Sequence, residues 1–269
     1  MGNILLLTDF SVGANNAAAY ALKLAWQLGF DLILLHVKDV GSDGAIANDT
    51  LRKFDDLKNS ISAMNPGKDY LQPVLMDIIV KGQLKEGIAK VLKEKEIDLV
   101  VIGATDGENK TGFLFGKRVR EIIDWVSHPI LLVPPAASFK KIENVFYVTD
   151  IRYASPQVIA RLMRLVQLLR ANFSVLHVGV SGRPELPADH AQSLFNDFMA
   201  NIPGQAPRFL IRNEGSNPEM IIRELFVKHG QDVLAVAHRE HHFFGHIFME
   251  HPTEEAVIYK EIPMLVMPT

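Results

Sequence analysis

Ile4-Leu5-Leu6-Leu7-Thr8-Asp9 and Val145-Phe146-Tyr147-Val148-Thr149-Asp150 are one pattern written twice, 141 positions apart. Each has four apolar or aromatic residues, then threonine, then aspartate. Such an unbroken run is too continuous for a strand with one wet face. It suits a central strand of a parallel sheet, covered on both sides. Leu35-His36-Val37 returns at the same spacing as Leu176-His177-Val178. Further on, Ile97-Asp98-Leu99-Val100-Val101 returns as Gln231-Asp232-Val233-Leu234-Ala235, and Pro129–Pro134 as Pro263–Pro268, now 134 positions apart. The chain is therefore read as two copies of one domain, 1–137 and 138–269, the second shortened in its middle. Any site must be judged once in each copy.

Outward from the first run, the first copy alternates strands and helices. A helix starting within Ser11–Asn16 runs to Gly29, and Leu32–Val37 is a second buried strand. Residues 38–50 read as a loop, with Thr50 capping a helix whose inward face is Leu51, Phe54, Leu57 and Ile61. A strand over Leu71–Val80, a helix over Leu84–Leu92 and a strand over Leu99–Gly103 follow. A glycine-containing loop then leads to a helix carrying Val119, Ile122, Ile123 and Val126, and to a strand at 130–133. This rhythm predicts an α/β fold of βαβ units on a parallel sheet. In the second copy, Ser155-Pro156 and Asn217-Pro218 are helix starts, with a cap followed by proline at the first helical position. The boundary falls near Pro135–Lys141.

Composition limits the function. The 28 lysines and arginines nearly balance 31 aspartates and glutamates, which argues against a nucleic-acid surface. No apolar run approaches the roughly eighteen residues of a membrane span. No cysteine is present, so disulfides, thiolate catalysis and zinc–cysteine sites are excluded together. Met1-Gly2-Asn3 leads directly into a strand, leaving no room for a signal peptide. A soluble cytoplasmic protein is expected.

Ligands of open parallel sheets bind beyond the carboxyl ends of the strands, where helix N-termini present free N–H groups. Thr8-Asp9, Val37-Lys38 and the stretch Gly103–Lys117 meet that condition. Asp9 is suited either to a ribose or to capping the turn after its strand. Gly103 permits close backbone approach, Gly107 and Gly112 suit a bent loop, and Gly116 opens the last helix. Lys117 and Arg118 then sit at the positive end of the helix dipole, which an anion would offset. The alternative is a solvated basic turn. Gly112–Lys117 is not a Walker A loop, since it has one residue too few between its glycines and Arg118 where a hydroxyl is needed. Six of the ten histidines lie between His229 and His251. Their i, i+4 spacings are compatible with a metal, but Phe243-Phe244-Gly245 reads as loop, so they are read as a surface cluster and no metal site is assigned. Neither a nucleophile elbow nor a pair of carboxylates on one helix face is present, and no catalytic residue is assigned.

These features resemble the universal stress protein family in its tandem two-domain form. The resemblance rests on Thr8-Asp9-Phe10-Ser11, Ala21–Gly29, Leu34-Leu35-His36-Val37 and Ser127–Val133. It implies two tandem open parallel five-stranded sheets, Rossmann-like, in order 3-2-1-4-5 with helices on both faces. It also implies antiparallel pairing of the two fifth strands and hence of the two domains. The family's nucleotide motif, Gly-x2-Gly-x9-Gly-Ser/Thr, maps onto Gly103, Asp106, Gly116 and Lys117, with Gly107 one place late. The base and ribose contacts map onto the backbone of Val37 and onto Asp9. The implied function is a stress-associated adenine-nucleotide sensor using Asp9, Val37, Gly103, Gly107, Gly116 and Lys117. Its ligand would be ATP or another adenine nucleotide, with magnesium only alongside ATP and at most weak hydrolysis. Asp106 opposes phosphate in that loop, and in the second copy the motif positions read Ala237, Glu240, Glu250 and His251. The second domain is thus expected to bind no such nucleotide. The alternative is a scaffold with a degenerate site, and a homodimer or an unidentified protein partner stays open.

Overall fold

The computed structural model describes residues 2–38, 45–63, 72–104, 117–179, 184–212, 221, 224, 226, 232–238 and 262–269. The described residues form two compact units, one ending at Phe139 and the other beginning at Lys140.

In the first unit the elements run β1 (Asn3–Leu7), α1 (Val12–Leu28), β2 (Asp31–Lys38), α2 (Ala45–Ser62), β3 (Leu75–Lys81), α3 (Leu84–Glu94), β4 (Leu99–Gly103), α4 (Lys117–Trp125) and β5 (Ile130–Val133). Their order across the sheet is β3-β2-β1-β4-β5, and every pairing within the unit is parallel. The continuous apolar runs become the core: Ile4, Leu5, Leu6, Leu32, Ile33, Leu34, Val100 and Val101 are fully buried. Burying both faces of these strands supplies the main driving force, about 25 cal/mol per Å2 of apolar surface removed from water.

Two expectations need correction. Thr50 does not cap α2, because the helix starts at Ala45 and Thr50 lies buried within it. The inward face is Thr50, Phe54, Leu57 and Ile61, all buried, while Leu51, about 100° round the helix from Thr50, is exposed. The third strand begins at Leu75 rather than Leu71. Pro73 has no N–H to give to a ladder.

The second unit runs β6 (Asn144–Thr149), α5 (Pro156–Leu169), β7 (Asn172–Val178), α6 (Ala188–Met199), β8 (Arg208–Arg212), β9 (Val233–Ala237) and β10 (Met264–Met267). Its order is β8-β7-β6-β9-β10, again parallel at each pairing. Pro156 occupies the first turn of α5 as expected, but Ser155 does not cap through its side chain. Its hydroxyl donates instead to Gln157 Oε1 at 2.8 Å.

The repeat extends to details of support. At the amino end of β1, Asn3 N–H donates to Asp98 Oδ2 at 2.9 Å. At the matching place on β6, Asn144 N–H donates to Asp232 Oδ2 at 3.0 Å. This repeated aspartate ties strand starts together at the end of the sheet opposite the candidate site. No helix among the described residues is long and apolar enough to cross a membrane.

Candidate functional site

The carboxyl end of the first sheet is built by three successive residues that turn the chain out of β1. Thr8 Oγ1 accepts the Phe10 N–H at 3.0 Å, and Asp9 Oδ1 accepts the Ser11 N–H at 3.0 Å. Ser11 caps α1, its Oγ accepting the Ala14 N–H at 3.2 Å. Phe10 is held at φ 63, left-handed backbone that a bulky residue rarely adopts. Its ring lies 4.8 Å from that of His36 and 5.0 Å, edge-on, from that of Phe54. His36 in turn donates from Nδ1 to the Thr8 carbonyl at 2.8 Å.

Of the two roles foreseen for Asp9, the geometry holds the support of the turn after its strand. The residue nevertheless stays exposed. An ionised carboxylate has about four acceptor positions, so the bonds from Ser11 leave capacity for a ligand. Partial burial pushes this carboxyl up, but the Ser11 hydroxyl and N–H, its own N–H and the charge of Arg118 hold it below its ordinary value of 3.8. The side chain is therefore an anion and an acceptor at neutral pH.

Val37 belongs to the same end of the sheet. Leu35 gives its carbonyl to Thr8 N–H on the β1 side, and Lys38 gives its carbonyl to Gly82 N–H at the β3 edge. Strand alternation turns the backbone of Val37 toward β1, which has already ended at Leu7. Its side chain goes under α3, where a Cβ on Gly87 would stand 2.8 Å from it. Gly103 is also explained by packing. A Cβ there would lie 2.7 Å from the Gly13 carbonyl oxygen, so α1 approaches the end of β4 only because residue 103 has no side chain.

Asp9, Val37 and Gly103 are therefore gathered at the carboxyl ends of adjacent strands β2, β1 and β4. Lys117 is not committed to that point. Its side chain is 84% exposed and its Nζ lies 3.8 Å from Glu121 Oε1. Arg118, one residue on, is the cation whose field reaches Asp9. Asp106, Gly107, Gly112 and Gly116 lie outside the described residues, as do Asn217-Pro218, the histidines from His241 to His251 and His229. Sequence reading named both Phe10 and Arg118 but missed the left-handed turn at Phe10 and did not separate Arg118 from Lys117. The Thr-Asp-Phe-Ser order carried no signal that position 10 would be left-handed, and adjacent basic residues do not reveal which one faces inward.

The second unit closes the same place from within. Asp150, 1% exposed, is held by Arg152 through Nε at 2.9 Å and Nη2 at 2.6 Å. Arg152 also donates to the Pro184 carbonyl at 2.8 Å. Ile151 N–H donates to Nδ1 of the fully buried His177 at 3.2 Å. Burial pushes the His177 imidazole down, and Arg152 adds to this against the opposing pull of Asp150 and the Thr149 carbonyl; the net shift is downward. The imidazole is thus neutral in the fold. The carboxylate left open at Asp9 is occupied at Asp150 by a cation of its own chain.

The sequence profile described as the universal stress protein family matches residues 1–134. A universal stress protein from Archaeoglobus fulgidus has the same fold over 99% of this chain and 98% of its own, with a TM-score of 0.68 at 11% identity. A putative universal stress protein from Pseudomonas aeruginosa covers 99% of this chain and 92% of its own, with a TM-score of 0.58 at 12% identity. A universal stress protein solved in complex with cAMP covers 49% of this chain and 96% of its own at 15% identity, with a TM-score of 0.40. A search of curated proteins gives no match.

Proposed function

From the premise that this chain belongs to the universal stress protein family, we propose that its first unit is a non-catalytic adenine-nucleotide sensor. The observation that carries this is the contrast between the two strand-end aspartates. Asp150 is closed by a bidentate arginine, whereas Asp9 is exposed, ionised and only partly engaged. In this reading Asp9 accepts from the ribose hydroxyls and the backbone of Val37 meets the adenine edge. Gly103 lets the helix N-terminus close on the site, and Gly107 and Gly116 shape the phosphate loop. Lys117 and Arg118 supply positive charge, with magnesium needed only where ATP brings it.

Calorimetric titration of the full chain with ATP, ADP and cAMP tests the proposal. We expect binding of at least one of them, weakened about ten-fold or more by Asp9→Asn, since a charge-assisted hydrogen bond is worth about 1.5–3 kcal/mol. Asp106→Gly should tighten ATP by roughly ten-fold if the carboxylate faces the phosphates, about 1.4 kcal/mol. A second reading, a scaffold that acts through protein contacts, has its own support. Gly103 is accounted for by packing against Gly13, and Lys117 leans toward Glu121. No heat and no thermal stabilisation with any of the three nucleotides at millimolar concentration would favour the scaffold.

A further inference from the structure

Helix α5 repeats α1 at the 141-residue offset, down to the left-handed stops at Gly29 and Arg170. Both helices bury the same positions: Ala17, Ala18, Ala21 and Ala25 of α1 become Val158, Ile159, Leu162 and Val166 of α5. Their outer faces differ. Asn16, Tyr20, Lys23 and Gln27 of α1 correspond to Gln157, Arg161, Arg164 and Leu168 of α5. The α1 set is buried or half-buried, with Tyr20 only 3% exposed. Every member of the α5 set is exposed, Leu168 at 52%.

The α1 face is covered by the segment that leaves β5. Asn16 donates through Nδ2 to the Pro134 carbonyl at 3.1 Å and to the Ala137 carbonyl at 3.0 Å. The Phe139 ring meets the Tyr20 ring edge-on, with centroids 4.9 Å apart. This face of the repeat therefore takes irregular backbone, holding carbonyls with a side-chain amide. On α5 the same amide is in place. Ser155 gives its hydroxyl to Gln157 Oε1 at 2.8 Å, which leaves the Nε2 hydrogens unused. Among the described residues, Arg161 and Arg164 make no hydrogen bond and no ion pair.

At about 100° per residue, Gln157, Arg161, Arg164 and Leu168 fall within an arc of about 60°. Pro156–Leu169 contains no aspartate or glutamate, so nothing on the helix offsets the two guanidinium groups. Like charges about one turn apart oppose a helix. Arginine beside an exposed leucine is also closer to the composition of an interface than to that of a solvated face, where lysine and glutamate are usual.

We propose that this face of α5 is a docking surface for a short acidic segment of a protein partner, held as α1 holds residues 134–139. Gln157 donates to carbonyls of the segment and Leu168 supplies apolar contact. Arg161 and Arg164 take its carboxylates, where Tyr20 of α1 takes the Phe139 ring; the planar fork of a guanidinium matches a carboxylate bidentately. The surface lies on the second unit and does not depend on the nucleotide reading of the first.

The test uses the full chain and a labelled peptide that repeats residues 134–138 and continues in glutamates from the place of Phe139. A second peptide continues in lysines. Fluorescence anisotropy should show saturable binding of the glutamate peptide, weakening as salt is raised, and none of the lysine peptide. Arg161→Gln with Arg164→Gln should weaken binding about ten-fold or more. Lys23→Gln, at the covered position on α1, should leave it unchanged. Arg161→Glu with Arg164→Glu should exchange the preference for the lysine peptide, a gain that misfolding could not produce. Absence of saturable binding by wild type would overturn the proposal, as would equal binding of the two peptides or an unaffected charge-reversed variant. A concentration-dependent dimer in sedimentation that the charge-reversed variant loses would overturn it by assigning the face to a second copy. Displacement of the peptide by phosphatidylserine vesicles would overturn it by assigning the face to a membrane.

Discussion

Asp150 and Arg152 show how one residue decides whether a strand-end carboxylate stays open or is closed off. Asp9 is followed two places on by Ser11, whose small side chain caps a helix and leaves the carboxylate open. Asp150 is followed two places on by Arg152, whose guanidinium folds back over it. Arg152→Met would strand a carboxylate that is 1% exposed, and should destabilise the second unit by about 3–5 kcal/mol in urea unfolding. Adding Asp150→Asn should recover a large part of that loss, and a double-mutant cycle measures the coupling. His177 gives a pH dependence. Its folded pKa lies below the ordinary 6.5, chiefly through burial, so the unfolded chain takes up a proton that the fold does not. The related stability is fully present above about pH 6.5 and is lost as pH falls below it. His177→Gln should flatten the fall in unfolding free energy between about pH 7 and 5.5.

The clearest comparison between elements is at the ends of α1 and α5. Gly29 closes α1 at φ 68, and Arg170, its counterpart 141 positions on, closes α5 at φ 53. The two helices thus stop in the same left-handed geometry with residues of very different tolerance for it. Left-handed backbone costs a residue with a Cβ about 1–2 kcal/mol, partly offset by the larger chain entropy glycine loses. Arg170→Gly should therefore stabilise by about 0.5–1 kcal/mol, and Gly29→Ala should destabilise by a similar amount or more. Thermal melting of the two variants against wild type tests both signs. No Cβ contact lies within 4 Å of Gly29, so strain alone is being measured there.

For the whole molecule, the prediction is asymmetry despite repetition. A chain with two copies of one domain would bind two nucleotides if both strand ends were open. With Asp150 closed by Arg152, stoichiometry should be close to one per chain. Hydrogen exchange with and without ATP should protect the carboxyl ends of β1 and β2 and the start of α1. The matching ends of β6 and β7 should be unchanged. Protection in both copies would contradict the closed second site, and a stoichiometry near two would do the same.

The sequence by itself determined the duplication and the α/β class, because these depend on patterns that propagate along the chain; the order of the first five strands was implied only by the family resemblance. Ile4–Leu7 and Val145–Val148 could be read as central strands since a parallel strand buried on both faces must be apolar throughout. The aspartates at 9 and 150 could be placed at strand ends for the same reason. Their fates could not, because Arg152 reaches Asp150 through a side-chain rotamer while Ser11 meets Asp9 through its hydroxyl and backbone N–H. The start of α2 at Ala45 was hidden because a threonine inside a helix and one capping it look alike in sequence. Gly103 looked like a phosphate-loop glycine, and only the approach of Gly13 within 2.7 Å of its Cβ direction revealed the packing reason. The placing of Lys38 beside Lys81 at the strand ends depends on the register between two strands 43 residues apart. Register, rotamer and approach distance arise when elements pack on each other, and no local pattern encodes them.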